Sequence, residues 1–353
     1  MSLHTSGAPA RSAAAPRTGR RPARLSRRAV AAVATLPLLA LLAACATNAD
    51  AEPGTADNEK AAEAAGLVID TSPDQEFIHT TESPEAIALL PEDVKAAGVL
   101  KVSTTAGGLP PLGFLADDDK TPIGNEPNIA VLVADALGLD LELEVKAWAD
   151  WPLALQSGDV DAVISNVTVT EERKELYDFS SYRNDQLGWL SGASNDKVPA
   201  IKEAKDIAGL TVGVGSGTNQ EKILLAWNEE NVAAGLDPVE GGEPEYYEDY
   251  KDALLAVASG RLDVYVGPNA SLAYSAATAP DQYKVVGTLN GGWPATAQIA
   301  VATLKGSELA PAVTAAINHA IEDGSYAKLL EHWGLEDEAI PASETNPPGL
   351  PKP

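Results

Sequence analysis

The chain has 353 residues, with 25 Lys and Arg against 51 Asp and Glu and a formal net charge of −26. So acidic a surface repels nucleic acid and anionic lipid headgroups, and neither is expected as a direct partner. A single cysteine excludes an internal disulfide. Four scattered histidines (His4, His79, His319, His332), with no His-x-x-x-His or Cys-x-x-Cys spacing, give no ground for a metal or cofactor.

Seven arginines and no acid precede Cys45, and an apolar run over residues 29–44 leads up to it. A basic start, a short apolar core and small residues at a cut site describe an export signal over residues 1–44. The run is short for a membrane span. Leu42-Ala43-Ala44-Cys45 resembles the bacterial lipobox, whose cysteine is diacylated and becomes the new N-terminus. The expected location is therefore extracytoplasmic, with lipid on Cys45 anchoring the chain to the cell membrane; the other reading is a free thiol in an uncleaved anchor. Arg27 and Arg28 leave both the general and the twin-arginine export routes open. The polar, Ala/Glu/Asp-rich segment after Cys45 reads as a flexible tether over residues 45–89.

Organised sequence follows. Residues 99–104 read as a strand and 107–111 as a loop. Ile129, Leu132, Val133, Ala136 and Leu137 keep helical spacing, and Gly138 fits a helix C-cap. Leu141, Leu143 and Val145 alternate with Glu142 and Glu144, the pattern of a half-buried strand. Asp150 can cap a helix through Gln156, with Pro152 in its first turn, and 160–164 reads as a strand. Alternating strands and helices predict a mainly parallel sheet covered by helices. The pattern then recurs. Ser157-Gly158-Asp159-Val160-Asp161-Ala162-Val163 matches Ser259-Gly260-Arg261-Leu262-Asp263-Val264-Tyr265, and Gly98-Val99-Leu100-Lys101-Val102 parallels Gly209-Leu210-Thr211-Val212-Gly213. Two similar tandem lobes explain both pairs; chance is the alternative for strings so short. Leu309, Val313, Ala316, Ile317, Ala320 and Ile321 share a last helical face that ends at Gly324, and a short helix over 325–333 ends at Gly334.

Ligands of open α/β sheets bind beyond the carboxyl ends of the strands. Two loops stand there. Residues 165–173, SNVTVTEER, carry short hydrogen-bonding side chains and Arg173, whose planar fork matches a carboxylate. The alternative is that Arg173 pairs with Glu171, Glu172 or Asp178 on the surface. Residues 215–220, GSGTNQ, lie between a strand and a helix, where backbone N–H groups favour a carboxylate or phosphate; a plain strand-to-helix turn is the alternative. Neither a dinucleotide spacing nor Gly-Lys-Ser/Thr is present, and there is no Gly-x-Ser-x-Gly elbow.

Over roughly residues 90–336 the chain resembles the extracellular solute-binding proteins of family 3, the polar amino-acid receptors of ABC importers. Its most specific piece is SNVTVTEERKELYDFS (165–180), similar to the family's Ser-x-x-Thr-x-Thr-x-x-Arg…Phe-Ser signature. LKVSTTAGGLPPLGF, LQSGDVDAV, VGVGSGTNQE and ASGRLDVYVGP support it. The resemblance implies an α/β, two-lobed periplasmic-binding-protein-like fold of type II, with a helix-covered mixed sheet in each lobe and a hinge of two crossovers. Lobe one would combine 90–190 with 294–336, lobe two would span 191–293, and 337–353 would be an irregular tail.

The resemblance further implies a monomeric binding protein, not an enzyme. It would close on an amino acid or related small carboxylate and dock on an ABC permease with its ATPase. Arg173 would grip the α-carboxylate, with Thr168 and Asn166 beside it and Gly217, Thr218 and Asn219 completing the shell from lobe two. Trp148 falls where the family has an apolar wall, or else belongs to the core. Departures leave the ligand open. The second-lobe acid for an α-amino group is replaced by Gly267-Pro268-Asn269, which makes Asn269 the substitute. The covering aromatic aligns near Leu109, and the usual Gly-Phe-Asp-x-Asp run is Gly124-Asn125-Glu126-Pro127-Asn128. The rivals are a dehydratase-like enzyme on the same fold and an orphan sensory lipoprotein.

Overall fold

The computed structural model describes residues 69–352. Cys45, the export signal and the tether as far as residue 68 lie outside the described residues. α1 (Pro84–Ala88) and α2 (Glu92–Ala97) lead into β1 (Val99–Thr104). A hairpin, β2 (Gly113–Leu115) and β3 (Pro122–Gly124), precedes α3 (Asn125–Leu137). Gly138 closes α3 at φ 64°, the left-handed cap that the sequence predicts. β4 (Asp140–Val145), α4 (Trp151–Ser157), β5 (Ala162–Thr168) and β6 (Tyr177–Asn184) complete the first passage through lobe one. Lobe two begins with β7 (Gln186–Gly192), β8 (Val212–Val214), α5 (Asn219–Ala233) and β9 (Glu245–Tyr246). It continues with α6 (Tyr250–Ala258), β10 (Val264–Pro268), α7 (Asn269–Thr278) and β11 (Tyr283–Asn290). The chain returns to lobe one through β12 (Gln298–Leu304), α8 (Ala310–Asp323) and α9 (Ser325–Trp333).

The two sheets have orders β4-β1-β5-β12-β6 and β11-β7-β10-β8-β9. Taken from β4 in one and β9 in the other, they run alike. Three parallel strands come first, then an antiparallel strand that has just crossed from the other lobe, then a last antiparallel strand. The matched sequence pairs fall on equivalent strands, β1 with β8 and β5 with β10, so the internal repeat has a topological counterpart. In lobe one, Leu100, Val102, Ile129, Leu137, Ile164 and Trp333 fill one face of the sheet, and Trp151, Leu155, Val163 and Phe179 the other. In lobe two, Trp189 stacks on Trp227 at 5.4 Å between ring centroids.

Several boundaries differ from those read in the sequence. β7 pairs in the second sheet, so the first crossing is at Asp185 and not at residue 190; an apolar strand reads the same in either sheet. β5 starts at Ala162 and runs to Thr168, which puts residues 165–168 in a strand and not a loop. A bulge makes room for this: Asn166 has φ 52°, and the β12 register shifts opposite it, between Ala300 and Ala302. Asp150 precedes α4 but makes no side-chain cap. The segment expected as tether is structured from residue 69, because Phe77 and Ile78 pack on lobe one and Ser83 caps α1, whose Ala86 is fully buried. The tail has no regular element beyond a turn at Glu336–Glu338, yet it packs: Ile340 and Leu350 are buried, and Thr345 bridges Ser180 on the edge strand β6.

Candidate functional site: the interlobe cleft

A cleft of about 1020 Å³ lies between the lobes. The lobes touch around it. Ser271 Oγ donates to the Leu109 carbonyl at 3.0 Å, Lys222 of lobe two pairs with Glu172 of lobe one, and Arg173 Nη2 donates to the Gly217 carbonyl at 3.1 Å. Three contacts thus bridge the lobes beside the cleft.

Arg173 opens a short 3-10 turn whose first N–H is taken by Thr170 Oγ1, and its side chain folds back into the cleft. There Nη1 donates to the Thr168 carbonyl at 2.8 Å. The guanidinium lies 5.5 Å from the ring of Trp148 and 5.7 Å from that of Trp151, within cation–π range of both. Burial pushes its pKa down to about 10, which leaves a full cation at neutral pH. The acids that the sequence offers as surface partners are otherwise engaged: Glu171 by Lys174, Glu172 by Lys222, and Asp178 by Lys305. Three cations line the cleft. Lys146 and Lys222 hold carboxylates; among the described residues Arg173 has no ion pair.

The other nominated residues divide. Trp148 and Leu109 line the cleft, Leu109 giving its carbonyl to Ser271. Gly217, Thr218 and Asn219 line it at the start of α5, where the first N–H groups have no intrahelical acceptor. Local bonds already use part of this set. Gly217 N–H donates to Glu221 Oε2 at 2.6 Å, and Thr218 Oγ1 donates to the Gly215 carbonyl at 2.7 Å. Thr168 is not in the cleft wall; its hydroxyl donates to Asp185 Oδ2 at 2.7 Å. Asn219 Nδ2 reaches the same oxygen at 3.1 Å and the Gly291 carbonyl at 2.7 Å. Two side chains expected on a ligand carboxylate thus hold a protein carboxylate at the hinge, which burial keeps above the usual carboxylate range. Asn269 is also outside the wall. It opens α7 with Oδ1 set against β7, 3.0 Å from where a Cβ on Gly188 would lie. The substitute nominated for an α-amino group therefore does not line the cleft.

Residues 100–336 match the bacterial extracellular solute-binding proteins, family 3. The chain belongs to this family. It is 32% identical over 246 residues to the L-cystine-binding protein TcyJ of Escherichia coli, covering 68% of this chain and 84% of the relative. It is 29% identical over 266 residues to the arginine-binding protein ArgT of Corynebacterium glutamicum, covering 73% and 82%. An ancestral arginine-binding protein solved with arginine is similar in structure, with a TM-score of 0.57 and 31% identity over 67% of this chain and 98% of that one. The fold is the family's two-lobed type II arrangement, and these relatives are binding proteins rather than enzymes.

In this solute-binding protein a second polar group adjoins the cleft. Arg183, on β6 and 2% exposed, donates to Glu126 Oε1 at 3.0 Å, pairs with Glu338 and holds Asn166 Oδ1. Asn166, nominated as a ligand contact, lines the cleft with its oxygen already committed. Burial works against the Arg183 cation, and Glu338 and Glu126 outweigh it, so its pKa stands above the ordinary value. Glu338 is itself held up by burial. Sequence reasoning missed this group, along with Trp151 and Asp185. Arg183 stands 57 positions from Glu126 and 155 from Glu338, and no local pattern links them. The one available signal was Glu126 itself, in the run that departs from the family's Gly-Phe-Asp-x-Asp.

Proposed function

We propose that this chain is the lipid-anchored, monomeric substrate-binding subunit of an ABC importer, and that it captures an amino acid or related small carboxylate by hinge closure. One observation carries the ligand reading: an unpaired guanidinium, walled by two indoles, lines a cleft between two lobes of a family-3 chain. A guanidinium has five N–H donors, and two carbonyls leave donors over for a carboxylate fork. Trp148 and Trp151 lie within cation–π range of it, and their apolar faces lower the local dielectric, which strengthens a charged contact. On the other lobe Thr218 caps α5 through the Glu221 N–H, and the remaining N–H groups of its first turn, with the helix dipole, favour an anion. Closure would complete the ligand's shell from both sides. The closed form would then meet a permease and its ATPase, with Cys45 keeping the receptor at the membrane. The names of the relatives support an amino acid as the cargo.

The test is a thermal-shift screen of L-amino acids and small carboxylic acids, followed by calorimetry on Arg173→Ala. A ligand selective for the folded state raises the melting temperature. Loss of a buried charged bond of about 1.5–3 kcal/mol predicts affinity at least tenfold weaker, with an unchanged circular dichroism spectrum. Unchanged affinity in the variant would remove the carboxylate grip from Arg173.

A further inference from the structure

Apolar side chains gathered on one open face mark a binding surface, whereas scattered single ones do not. Among the described residues, two of the exposed large apolar side chains, Val145 at 46% and Leu176 at 54%, line the cleft. Both belong to lobe one. Val145 ends β4, and Leu176 follows the 3-10 turn that Arg173 opens. Trp148 and Pro152, half-buried, stand in the same wall. This shelf is braced from behind. Trp151 packs on Trp148 at 6.1 Å and on Tyr177 at 4.9 Å between ring centroids, and Tyr177 Oη donates to the Pro152 carbonyl at 3.2 Å. The shelf reaches the gap between the lobes: a Cβ on Gly217 of lobe two would lie 3.8 Å from Trp148 Nε1. It also adjoins the carboxylate grip, since the Arg173 guanidinium lies 5.5 Å from the Trp148 ring.

Free charge is scarce around this face. Lys146 is paired with Glu144 at 2.9 Å, Glu172 with Lys222, and Glu126 is 1% exposed and paired with Arg183 at 3.0 Å. Glu248 lines the cleft from lobe two, exposed on the loop before α6, where water screens it. A charged group laid on the shelf would shed water and gain no counter-ion. A bulky apolar group would take these side chains out of water at no such cost. The cleft has the room, since about 1020 Å³ stands at the upper end of small-molecule sites.

We propose that Val145, Trp148, Pro152 and Leu176 form the specificity face of the cleft, and that they select a cargo whose side group is bulky, apolar and uncharged over one whose side group is basic or acidic. The inference rests on the capture function proposed above and narrows its ligand class. The carboxylate end stays at Arg173, and the apolar group runs from there along lobe one.

Calorimetry on the full-length chain compares side groups of similar length that differ in charge: L-norleucine against L-lysine and L-arginine, and L-leucine against L-glutamate, with L-phenylalanine and L-tryptophan for bulk. The expected result is that the best apolar probe binds at least about tenfold tighter than any charged one. Leu176→Ser and Val145→Ser should each weaken that probe about 5- to 20-fold. The melting temperature of either variant without ligand should stay close to the parent's, because both side chains already stand half in water. Lysine, arginine or glutamate binding as tightly as the best apolar probe overturns the inference and leaves the grip at Arg173 standing. So does an apolar probe whose affinity is unchanged in both serine variants. A chain that binds no probe of either kind overturns the amino-acid capture itself, and the shelf's role falls with it.

Discussion

Arg173 and Gly291 show how single positions govern the cleft. Arg173 is valuable because the chain supplies it with carbonyls and indole faces and, among the described residues, no ion pair; Glu171, Glu172 and Asp178 each have a lysine, and Asp185 is held by Thr168 and Asn219. Replacing it should weaken ligand binding far more than folding. Gly291 acts through space. A Cβ there would stand 2.1 Å from Asp185 Cγ and 2.2 Å from its Oδ2, at the point where the two crossings meet. Gly291 N–H also donates to the Asp185 carbonyl at 3.0 Å, and its own carbonyl accepts from Asn219. Gly291→Ala therefore overpacks the hinge. A loss of about 1–3 kcal/mol is expected from overpacking of this kind, read as a lower midpoint in a denaturant melt. A variant as stable as the parent would mean that the crossings separate at little cost.

Among the elements, the tail and the strand β6 form a pair that periodicity does not reveal. β6 is the last strand of its sheet, and an open edge invites pairing with another chain. The tail covers it. Asn346 N–H donates to the Phe179 carbonyl at 2.8 Å, Phe179 N–H donates to Asn346 Oδ1 at 2.9 Å, and Ser181 N–H donates to the Glu344 carbonyl at 3.1 Å. Removing residues 341–353 should lower the melting temperature and cause concentration-dependent association, visible by light scattering after size exclusion. A truncated chain that stays monomeric at unchanged melting temperature would show that the edge needs no cover. The bulge in β5 is the other element-scale device: by turning at Asn166 it brings Asn166 to Arg183 and Thr168 to Asp185 within one strand.

For the whole molecule, the buried carboxyl of Asp185 ties its two halves together, and buried carboxyls make stability depend on pH. Burial raises the pKa of both Asp185 and Glu338. A carboxyl with a raised folded-state pKa binds its proton more tightly in the folded chain than in the unfolded one. Its contribution is full below the ordinary carboxylate value and is lost as pH rises through the raised value. Asp185 links lobe one through Thr168 and lobe two through Asn219, so this loss falls on the junction of the lobes. Comparing Asp185→Asn with the parent isolates it from the other acids. As pH rises from 4 to 7, the stability difference should move in favour of the variant, measured by thermal melts at fixed ionic strength. A difference that stays constant over that range would exclude titration of Asp185.

Much of the architecture was legible in the chain. The alternation of strand and helix, the glycine caps at Gly138, Gly324 and Gly334, and the paired strings before β5 and β10 are local or repeated patterns, and local chemistry sets them. Arg173, Trp148 and the start of α5 were legible because the family's motif places them, and they stand in the cleft wall. The side of the crossing on which β7 falls was not legible, since a fully buried strand is equally apolar in either sheet. Nor was the turn of Thr168 and Asn219 toward Asp185, or the meeting of Arg183 with Glu126 and Glu338. Those depend on which strands pair and on where a bulge rotates a side chain, and long-range packing alone brings such distant charges within a hydrogen bond of each other.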